Sequence, residues 1–270
     1  MENLQLAKIA NEVRKNVVTA LHSAKSGHPG GSLSAADMLT FLYFEEMNGL
    51  DPKNPNKPDR DRFVLSKGHT APALYVNLAD VGCFPKERLF DSYRRINGLL
   101  QGHPCMKTPG VEIAGGSLGI GLSVAAGMAL GNRYQGYKGR VYCMMGDGEI
   151  NEGQIWESAA TSAGFGLDNL CAFVDVNGLQ NDAPTKEVKD MGDLAAKWKA
   201  FGWNVQEING HDFNEILDAL DQARATKGKP SVILAHTVKG KGVPFMENVV
   251  VWHGKTPSKE DYEKAMEALA

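Results

Sequence analysis

Residues 140–157, RVYCMMGDGEINEGQIWE, contain the transition that decides the fold of this chain. The apolar run 140–145 is typical of a buried strand, and a Gly-Asp-Gly turn joins it to a helical pattern. The same succession begins again at 170–176, LCAFVDV, which is also almost continuously apolar. Strands that are apolar on both faces and alternate with helices are typical of βαβ units in a parallel sheet.

This alternation extends outward from the central segment in both directions. Apolar residues recur at helical spacing near the start of the chain, as at Leu6, Ile9 and Val13, and apolar runs of strand length recur after it. We therefore predict an α/β fold with an open, mainly parallel sheet and helices on both faces. The predicted strands are 63–66, 140–145, 170–176, 203–208 and 230–238. The predicted helices are 4–23, 33–47, 67–80 (after an initial turn), 118–134, 151–165, 192–201 and 212–225.

The length of 270 residues is above that of most single domains, but open α/β sheets can accommodate it in one domain. No internal repeat or low-complexity segment divides the chain. After the last predicted strand, the sequence continues as a loop and a short charged helix. We therefore expect a single domain over residues 1–270, of which about 241–270 form a C-terminal loop-and-helix extension.

The composition excludes several classes of protein. A formal net charge of −3 gives no indication of a nucleic-acid partner. The amphipathic N-terminus has no apolar signal region, and no run reaches the ~20 apolar residues that cross a bilayer, so we expect no membrane partner. The four cysteines show no C-x-x-C spacing, which favours free thiols and a cytoplasmic protein.

The Gly-Asp-Gly turn lies where a parallel strand ends, which is where ligands gather in open α/β sheets. Gly146 and Gly148 permit close approach of the backbone, Asp147 offers a hard oxygen, and the next helix offers free N–H groups to an anion. A plain surface turn has the same sequence, so the turn alone leaves both interpretations open. An EF-hand that starts at Asp147 is excluded, because Glu152 and Ser158 stand where it needs Gly and Glu.

Asn177 supplies a second clue, because it follows the next predicted strand. Sequential strands are often neighbours in a sheet, so Asp147 and Asn177 would lie side by side at one edge. With the carbonyl of Leu179 as a candidate third oxygen, they would form part of a shell for Mg²⁺ or Ca²⁺. Diphosphate oxygens and water would complete this shell. A turn asparagine is the alternative interpretation.

Histidines in glycine-flanked loops provide the third clue. Such histidines can reach a ligand, and they can titrate near neutral pH. A loop-stabilising hydrogen bond would explain any one of them, but four in separate loops favour a ligand site. These four candidate catalytic residues are His28, His69, His103 and His253. The other three are interpreted as structural: His22 in a helix, His236 in a strand, and His211 before a helix that Asp212 would cap.

The turn and the asparagine thirty positions after Asp147 together resemble the thiamine diphosphate fingerprint, in which GDG and Asn stand at the ends of adjacent strands. Further segments resemble the diphosphate-binding (PP) half of the transketolase family, in the family's order. They are SGHPGGSLSAADML (26–39), FVLSKGHTAPALY (63–75), QGHPCMKTPGVEIAGGSLGIGLSVAAGMAL (101–130), GDGEINEGQIWE (146–157), VDVNGLQ (174–180) and HTVKGKGV (236–243) followed by WHG. The resemblance covers nearly the whole chain and implies the thiamine diphosphate-binding fold.

The resemblance implies thiamine diphosphate as the cofactor, bound through Mg²⁺ or Ca²⁺. Asp147, Asn177 and the Leu179 carbonyl would hold this metal. Where single-chain relatives read Gly-Pro-Leu-Gly-Gln-Gly, this chain reads GSLGIG (116–121), a change that a mainly backbone contact tolerates. The full set of implied cofactor contacts is His69, Gly116, Ser117, Leu118, Asp147, Gly148, Glu152, Asn177 and His253.

The histidines acquire roles from the same resemblance. His69 and His253 would stand near the diphosphate and the reacting carbon. His28 and His103 would hydrogen-bond substrate hydroxyls and move protons. The implied reaction transfers a two-carbon ketol (glycolaldehyde) unit from a ketose phosphate to an aldose phosphate, as in the pentose phosphate pathway.

The resemblance also implies a partner chain. In the family, the glutamate that contacts the aminopyrimidine ring and most phosphate-binding arginines lie in a second half, which this sequence does not contain. We therefore expect the N-terminal subunit of a split transketolase, whose C-terminal subunit carries the pyrimidine-binding and C-terminal domains. A dimer of heterodimers would form, and Glu152 and Glu157 resemble acids that link two active sites across a subunit interface.

Two alternatives stay open. The same cofactor could serve another sugar or a dihydroxyacetone-type substrate; deoxyxylulose-phosphate synthase fits poorly, because the HPGG and GHPC loops resemble those of transketolase. The chain could also be a non-catalytic cofactor-binding subunit. That interpretation leaves the four loop histidines without a reason.

Overall fold

Five parallel strands form one sheet at the centre of the molecule. The computed structural model describes residues 1–270. The strands are β1 (Arg62–Leu65), β2 (Val141–Gly146), β3 (Leu170–Val176), β4 (Asn204–Asn209) and β5 (Ser231–His236). Their order is β1-β2-β3-β5-β4, and every neighbouring pair is parallel. The predicted α/β fold with an open sheet is confirmed, and the sheet is wholly rather than mainly parallel.

Helices connect the strands and cover both faces of the sheet. The helix predicted at 118–134 begins three residues later, at Gly121, because Gly119 has a left-handed φ of 88°, which a helix does not allow. The predicted helix 33–47 instead begins at Pro29, whose fixed φ suits a first helical position, and it is divided in two. The helices are α1 (Asn3–Ala24), α2 (Pro29–Ser34), α3 (Ala36–Phe41, followed by a π-helical turn Leu42–Glu46), α4 (Ala71–Asp80), α5 (Arg88–Asp91), α6 (Gly121–Gln135), α7 (Gly153–Gly164), α8 (Thr185–Lys189), α9 (Leu194–Ala200), α10 (Phe213–Ala225) and α11 (Lys259–Ala268).

Alternate residues of β1, β2, β3 and β5 enter two different cores. On one face, Tyr142 and Phe173 pack into the larger core with residues of α1, α3, α4 and α10. On the other face, Cys143 and Ala172 pack with residues of α6, α7 and α9. Because side chains alternate along a strand, a strand covered on both faces must be apolar throughout. This explains the continuous apolar runs in the sequence.

The register of the sheet places the ends of β2 and β3 side by side. Gly146, the last residue of β2, is paired with Asp175 near the end of β3. The expectation that these two sequential strands are neighbours is therefore confirmed. As a result, the Gly-Asp-Gly turn and the loop after β3 leave the same edge of the sheet.

The last thirty residues pack against the first helix. Ala265 and Leu269 lie in the larger core, and Tyr262 stacks on His22 of α1 with a ring-centroid distance of 4.6 Å. Helix α11 begins with a capping box formed by Ser258 and Asp261. The structural interpretation of His22 agrees with this contact. No helix combines the length and the apolar composition that a membrane crossing would require.

Replacement of Asp212 by alanine tests the helix cap that the sequence indicated. The Asp212 carboxylate accepts hydrogen bonds from the backbone N–H groups of Asn214 and Glu215 at the start of α10. We expect Asp212→Ala to lower the free energy of unfolding by about 1 kcal/mol, measured by chemical denaturation.

The matched control is Asp218→Ala, at an exposed position in the middle of the same helix. This variant should leave stability unchanged or raise it slightly, because alanine is the better helix former. Equal losses in both variants would contradict the capping role of Asp212.

Candidate active site

The loops after β1, β2, β3 and β5 meet around a cleft of about 420 Å³. Polar side chains and glycines form almost all of its wall. Eleven of the twelve site residues proposed from the sequence line it: His28, His69, His103, Gly116, Leu118, Asp147, Gly148, Glu152, Asn177, Leu179 and His253. The twelfth, Ser117, is exposed and does not line the cleft, and Glu157 lines a separate groove between α6 and α7.

The turn after β2 holds the Asp147 carboxylate at the floor of the cleft. One carboxylate oxygen accepts a hydrogen bond from the Gly148 N–H at 2.8 Å, and the other accepts one from the Gly178 N–H at 2.6 Å. Asp147 therefore bridges the ends of β2 and β3. Burial and the nearby negative charge of Asp175 raise its pKa to about 6. A bound cation would relieve this cost, because it favours the ionised carboxylate.

Asn177 and Leu179 bring two further oxygens to this place. The Asn177 amide nitrogen donates to Asp175 at 3.1 Å, which identifies Oδ1 as the amide oxygen that accepts from the Leu179 N–H at 3.2 Å. The Leu179 carbonyl accepts a hydrogen bond from the Lys239 ammonium at 2.8 Å. The positive charge of Lys239 is therefore in contact with one of the three proposed metal ligands, the Leu179 carbonyl.

These three oxygens fit a hard divalent cation, since one carboxylate, one amide and one carbonyl are the donor types that Mg²⁺ and Ca²⁺ prefer. No cluster of three or more His, Cys, Asp or Glu side chains that could hold a metal occurs in the structure. A cation at this position would therefore need further oxygens from a ligand or from water. Diphosphate is a ligand that provides such oxygens.

A buried carboxylate below the cleft, Asp175, was missed by the sequence analysis. It accepts hydrogen bonds from the Lys67 ammonium, from the Ser34 hydroxyl at 2.6 Å, from the Thr237 hydroxyl and from Asn177. Burial opposes its ionisation, but the Lys67 charge and these donors outweigh burial and lower its pKa. A charged residue inside an otherwise apolar strand was the signal available in the sequence.

Two lysines in the cleft were also missed, although glycine follows each of them in the sequence. Lys67 is almost fully buried, and besides Asp175 it donates to the Gly31 carbonyl at 3.1 Å. Lys239 lies 3.0 Å from Nδ1 of His253. Burial and the Lys67 charge lower the pKa of Lys239 to about 8. Because Asp175 compensates Lys67, Lys239 is the lysine of the cleft whose charge suits an anion.

Three of the histidines form a packed group. The ring centroids of His28, His69 and His253 lie 5.1 to 5.5 Å apart. Burial, followed by neighbouring positive charges, lowers the pKa of His28 and of His253 to about 4 and that of His69 well below its ordinary value. The expectation that they titrate near neutral pH was wrong, because their glycine-flanked loops are packed together rather than open to water.

His103 lines the cleft on a different loop, and its pKa is lowered by burial and by the charge of Arg94. Buried Nδ1 of His28 has no hydrogen-bond partner in the structure. A buried polar atom without a partner is uncommon and marks a position that a ligand can satisfy. The histidines thus offer neutral donors and acceptors at pH 7.

Glu149 fixes the glycine-rich segment against the turn. Its carboxylate accepts from the Ser66 hydroxyl and from the N–H groups of Gly119 at 2.9 Å and Gly146 at 3.1 Å. A Cβ atom at Gly119 would lie only 2.7 Å from Cβ of Glu152. The glycine-rich segment around Gly119 and the turn that contains Glu152 therefore approach as closely as glycine allows. This contact was not anticipated from the sequence.

Residues 6–270 match the family model described as the transketolase thiamine diphosphate binding domain. The chain belongs to this family. It is 44% identical over 269 residues to the 6-deoxy-6-sulfo-D-fructose transketolase subunit SqwG of Clostridium sp. (strain MSTE9), a match that covers 99% of this chain and 97% of the relative. It is 40% identical to an apulose-4-phosphate transketolase subunit of Phocaeicola vulgatus, over 100% of this chain and 95% of the relative.

Single-chain transketolases match over part of their length. The mouse enzyme is 39% identical over 99% of this chain, but the match spans only 42% of the enzyme. Solved transketolases from Leishmania mexicana and Campylobacter jejuni both superimpose with a TM-score of 0.92, at 30% and 32% identity, over 98% and 99% of this chain and 41% and 43% of theirs. The transketolase-family fold and the thiamine diphosphate-binding class of this chain follow from these matches.

Removal of the Asp175 charge tests the buried pair. We expect Asp175→Asn to lower the free energy of unfolding by about 3–5 kcal/mol, because the Lys67 ammonium would remain buried without a counter-charge. Chemical denaturation at pH 7 measures this loss.

The double variant Asp175→Asn/Lys67→Met is the control. It removes both charges, and it should recover most of the lost stability. If the double variant is no more stable than Asp175→Asn alone, the pair does not account for the effect.

Proposed function

We propose that this chain is the diphosphate-binding subunit of a two-subunit transketolase. The enzyme would transfer a two-carbon ketol unit from a ketose phosphate to an aldose phosphate. One observation carries the proposal: a single cleft joins the oxygens of Asp147, Asn177 and Leu179 to a packed group of neutral histidines. The first end suits a metal-bound diphosphate, and the second suits a substrate rich in hydroxyl groups.

The cofactor end would work through charge. Asp147, Asn177 and the Leu179 carbonyl would hold Mg²⁺ or Ca²⁺, and Lys239 would balance part of the diphosphate charge. Gly148, Gly116 and Leu118 would line the cofactor through their backbones, and Ser117 and Glu152 would lie beside it. When bound, thiamine diphosphate supplies the carbon that carries the two-carbon unit.

The substrate end would work through proton exchange and orientation. His28 and His103 would hydrogen-bond substrate hydroxyls, and His69 and His253 would stand nearer to the cofactor. Because their pKa values lie below the ordinary value, these imidazoles would be neutral at pH 7 and could accept a proton from a hydroxyl.

A second chain would complete the site. Relatives that match along nearly their whole length are named as transketolase subunits, which supports a C-terminal partner with the pyrimidine-binding and C-terminal domains. Leu118 at the cleft and nearby Ile120 are exposed apolar side chains that such a partner would cover. Glu152 and Glu157 would face an interface in a dimer of heterodimers.

The boundaries and the compartment are further parts of the proposal. We propose one domain over residues 1–270, with about 241–270 as its extension, because α11 shares the larger core with α1. Free thiols at all four cysteines support a cytoplasmic location.

A second candidate function changes the sugar and keeps the chemistry. The relatives with 44% and 40% identity are named for 6-deoxy-6-sulfo-D-fructose and apulose-4-phosphate. These matches favour a sulfonated or branched sugar over a pentose phosphate as the donor. Ketol transfer by the reconstituted pair should therefore be measured with all three classes of donor, and the highest kcat/KM identifies the substrate.

Asp147→Ala tests the metal site. We expect it to weaken metal-dependent thiamine diphosphate binding by more than about 100-fold. Mutation of a residue that only hydrogen-bonds a metal ligand already lowers metal affinity by about 10–100-fold. Isothermal titration with the subunit pair measures this affinity. The control is Asp182→Ala, at an exposed acid of the loop after β3, which should bind normally.

The same preparations test the need for two subunits. The purified chain with cofactor and Mg²⁺ should show no ketol transfer until the partner is added. Turnover by the chain alone would refute the need for a partner, and normal binding by Asp147→Ala would refute the metal assignment.

A further inference from the structure

One side chain outside the cleft contacts both loops that carry the substrate-facing histidines. The Arg94 guanidinium donates a hydrogen bond to the Ser26 hydroxyl at 2.9 Å, two residues before His28. It also packs against Gly102, which precedes His103: a Cβ atom there would lie 2.8 Å from Cζ and Nε of Arg94. Arg94 therefore lies between the loop 25–28 and the loop 101–105.

The backbone around Arg94 is built to direct its side chain to this place. Arg94 has a left-handed φ of 53°, which is uncommon for a residue with a Cβ atom, and its N–H donates to the Leu100 carbonyl at 2.8 Å. The hydroxyl of buried Tyr93 accepts from Nε of Arg94 at 3.3 Å. The same hydroxyl would lie 3.0 Å from a Cβ atom at Gly27, so it packs directly on the His28 loop.

The charge of Arg94 has no carboxylate partner. No ion pair in the structure includes it, and its side-chain hydrogen bonds go to two hydroxyl groups. Burial lowers the pKa of both His28 and His103, and the Arg94 charge beside the two imidazoles lowers it further. Other titratable groups also face His28; they are His69, His103, His253 and the Lys239 ammonium. At His103, Arg94 is the charged group that acts on the imidazole.

We infer that Arg94 is a positioning residue that ties the His28 loop to the His103 loop and sets the spacing at which the two imidazoles face the substrate. The role of these imidazoles toward a sugar rests on the proposed function, whereas the tie between the loops does not. Arg94 does not line the cleft, so it acts through the two histidines.

Histidine proton resonances of the full chain test the tie without any substrate. We expect Arg94→Gln to raise the pKa of His28 and His103 by about half a unit or more, because an unpaired positive charge is removed. Arg94→Lys keeps the charge and should leave both values near those of the unaltered chain. The control is Arg95→Gln, next in the sequence, which donates to the Ser23 carbonyl and should change neither value.

Kinetics of the reconstituted subunit pair test positioning. We expect Arg94→Gln to raise KM for the ketose about tenfold and to move the acid limb of the pH profile of kcat/KM upward, because misplaced groups cost catalysis steeply. Ser26→Ala removes the hydrogen bond and keeps the charge, so it should raise KM and leave the histidine pKa values in place. A variant that merely loses stability would have a lower melting temperature. It would not reproduce the expected difference, in which Arg94→Gln changes both KM and the histidine pKa values and Ser26→Ala changes KM alone.

The outcomes separate the inference from the proposed function. Equal histidine pKa values in Arg94→Gln and Arg95→Gln would overturn the inference, as would unchanged KM in both Arg94→Gln and Ser26→Ala. If Arg94→Gln fails to fold, the inference stands on Arg94→Lys and Ser26→Ala, and normal KM in both variants overturns it. Raised histidine pKa values in a pair that transfers no ketol unit from any sugar would support the tie and refute the transketolase proposal.

Discussion

The buried ion pair between Asp175 and Lys67 is the interaction on which the rest of the cleft depends. Asp175 is fully buried, and a carboxylate in that position is tolerable only when charge and hydrogen bonds compensate its lost hydration. Its donors come from four separate places: Ser34 in α2, Lys67 after β1, Asn177 after β3 and Thr237 after β5. One side chain therefore holds together the segments that leave the same edge of the sheet.

This arrangement also sets the electrostatics of the floor of the cleft. Because Asp175 compensates Lys67, the second ammonium, that of Lys239, is left to face Leu179 and His253. The strand register places Asp147 directly after the residue paired with Asp175, and burial together with the negative charge of Asp175 raises the pKa of Asp147. The cleft thus has a carboxylate that gains stability when a cation binds, and a nearby lysine whose charge suits an anion.

Local patterns in the sequence predicted the parts of the site that a single strand and its following turn contain. Asp147 and Asn177 each follow an apolar run, and sequential strands are often neighbours, so their proximity was predictable. Asp175, Lys67 and Lys239 were not, because their contacts join segments that are far apart in the chain. Lys67, after β1, reaches past β2 to Asp175 in β3, and Lys239 reaches Leu179 only because β5 lies next to β3, an order that no local signal encodes. His211 was correctly interpreted as structural: it bonds Asp37 at 2.6 Å and accepts from the Val238 N–H, which braces the loop that carries Lys239.

Under the proposed function, the charges in this chain would also indicate where selectivity for a sugar arises. Both lysines of the cleft already have partners, and the packed histidines beside them are neutral at pH 7. A neutral surface can orient hydroxyl groups, but it does not distinguish a phosphate from a sulfonate at the far end of a sugar. If the proposed function holds, recognition of that anionic group would fall to residues outside this cleft wall, in line with relatives that match along nearly their whole length being named for different sugars.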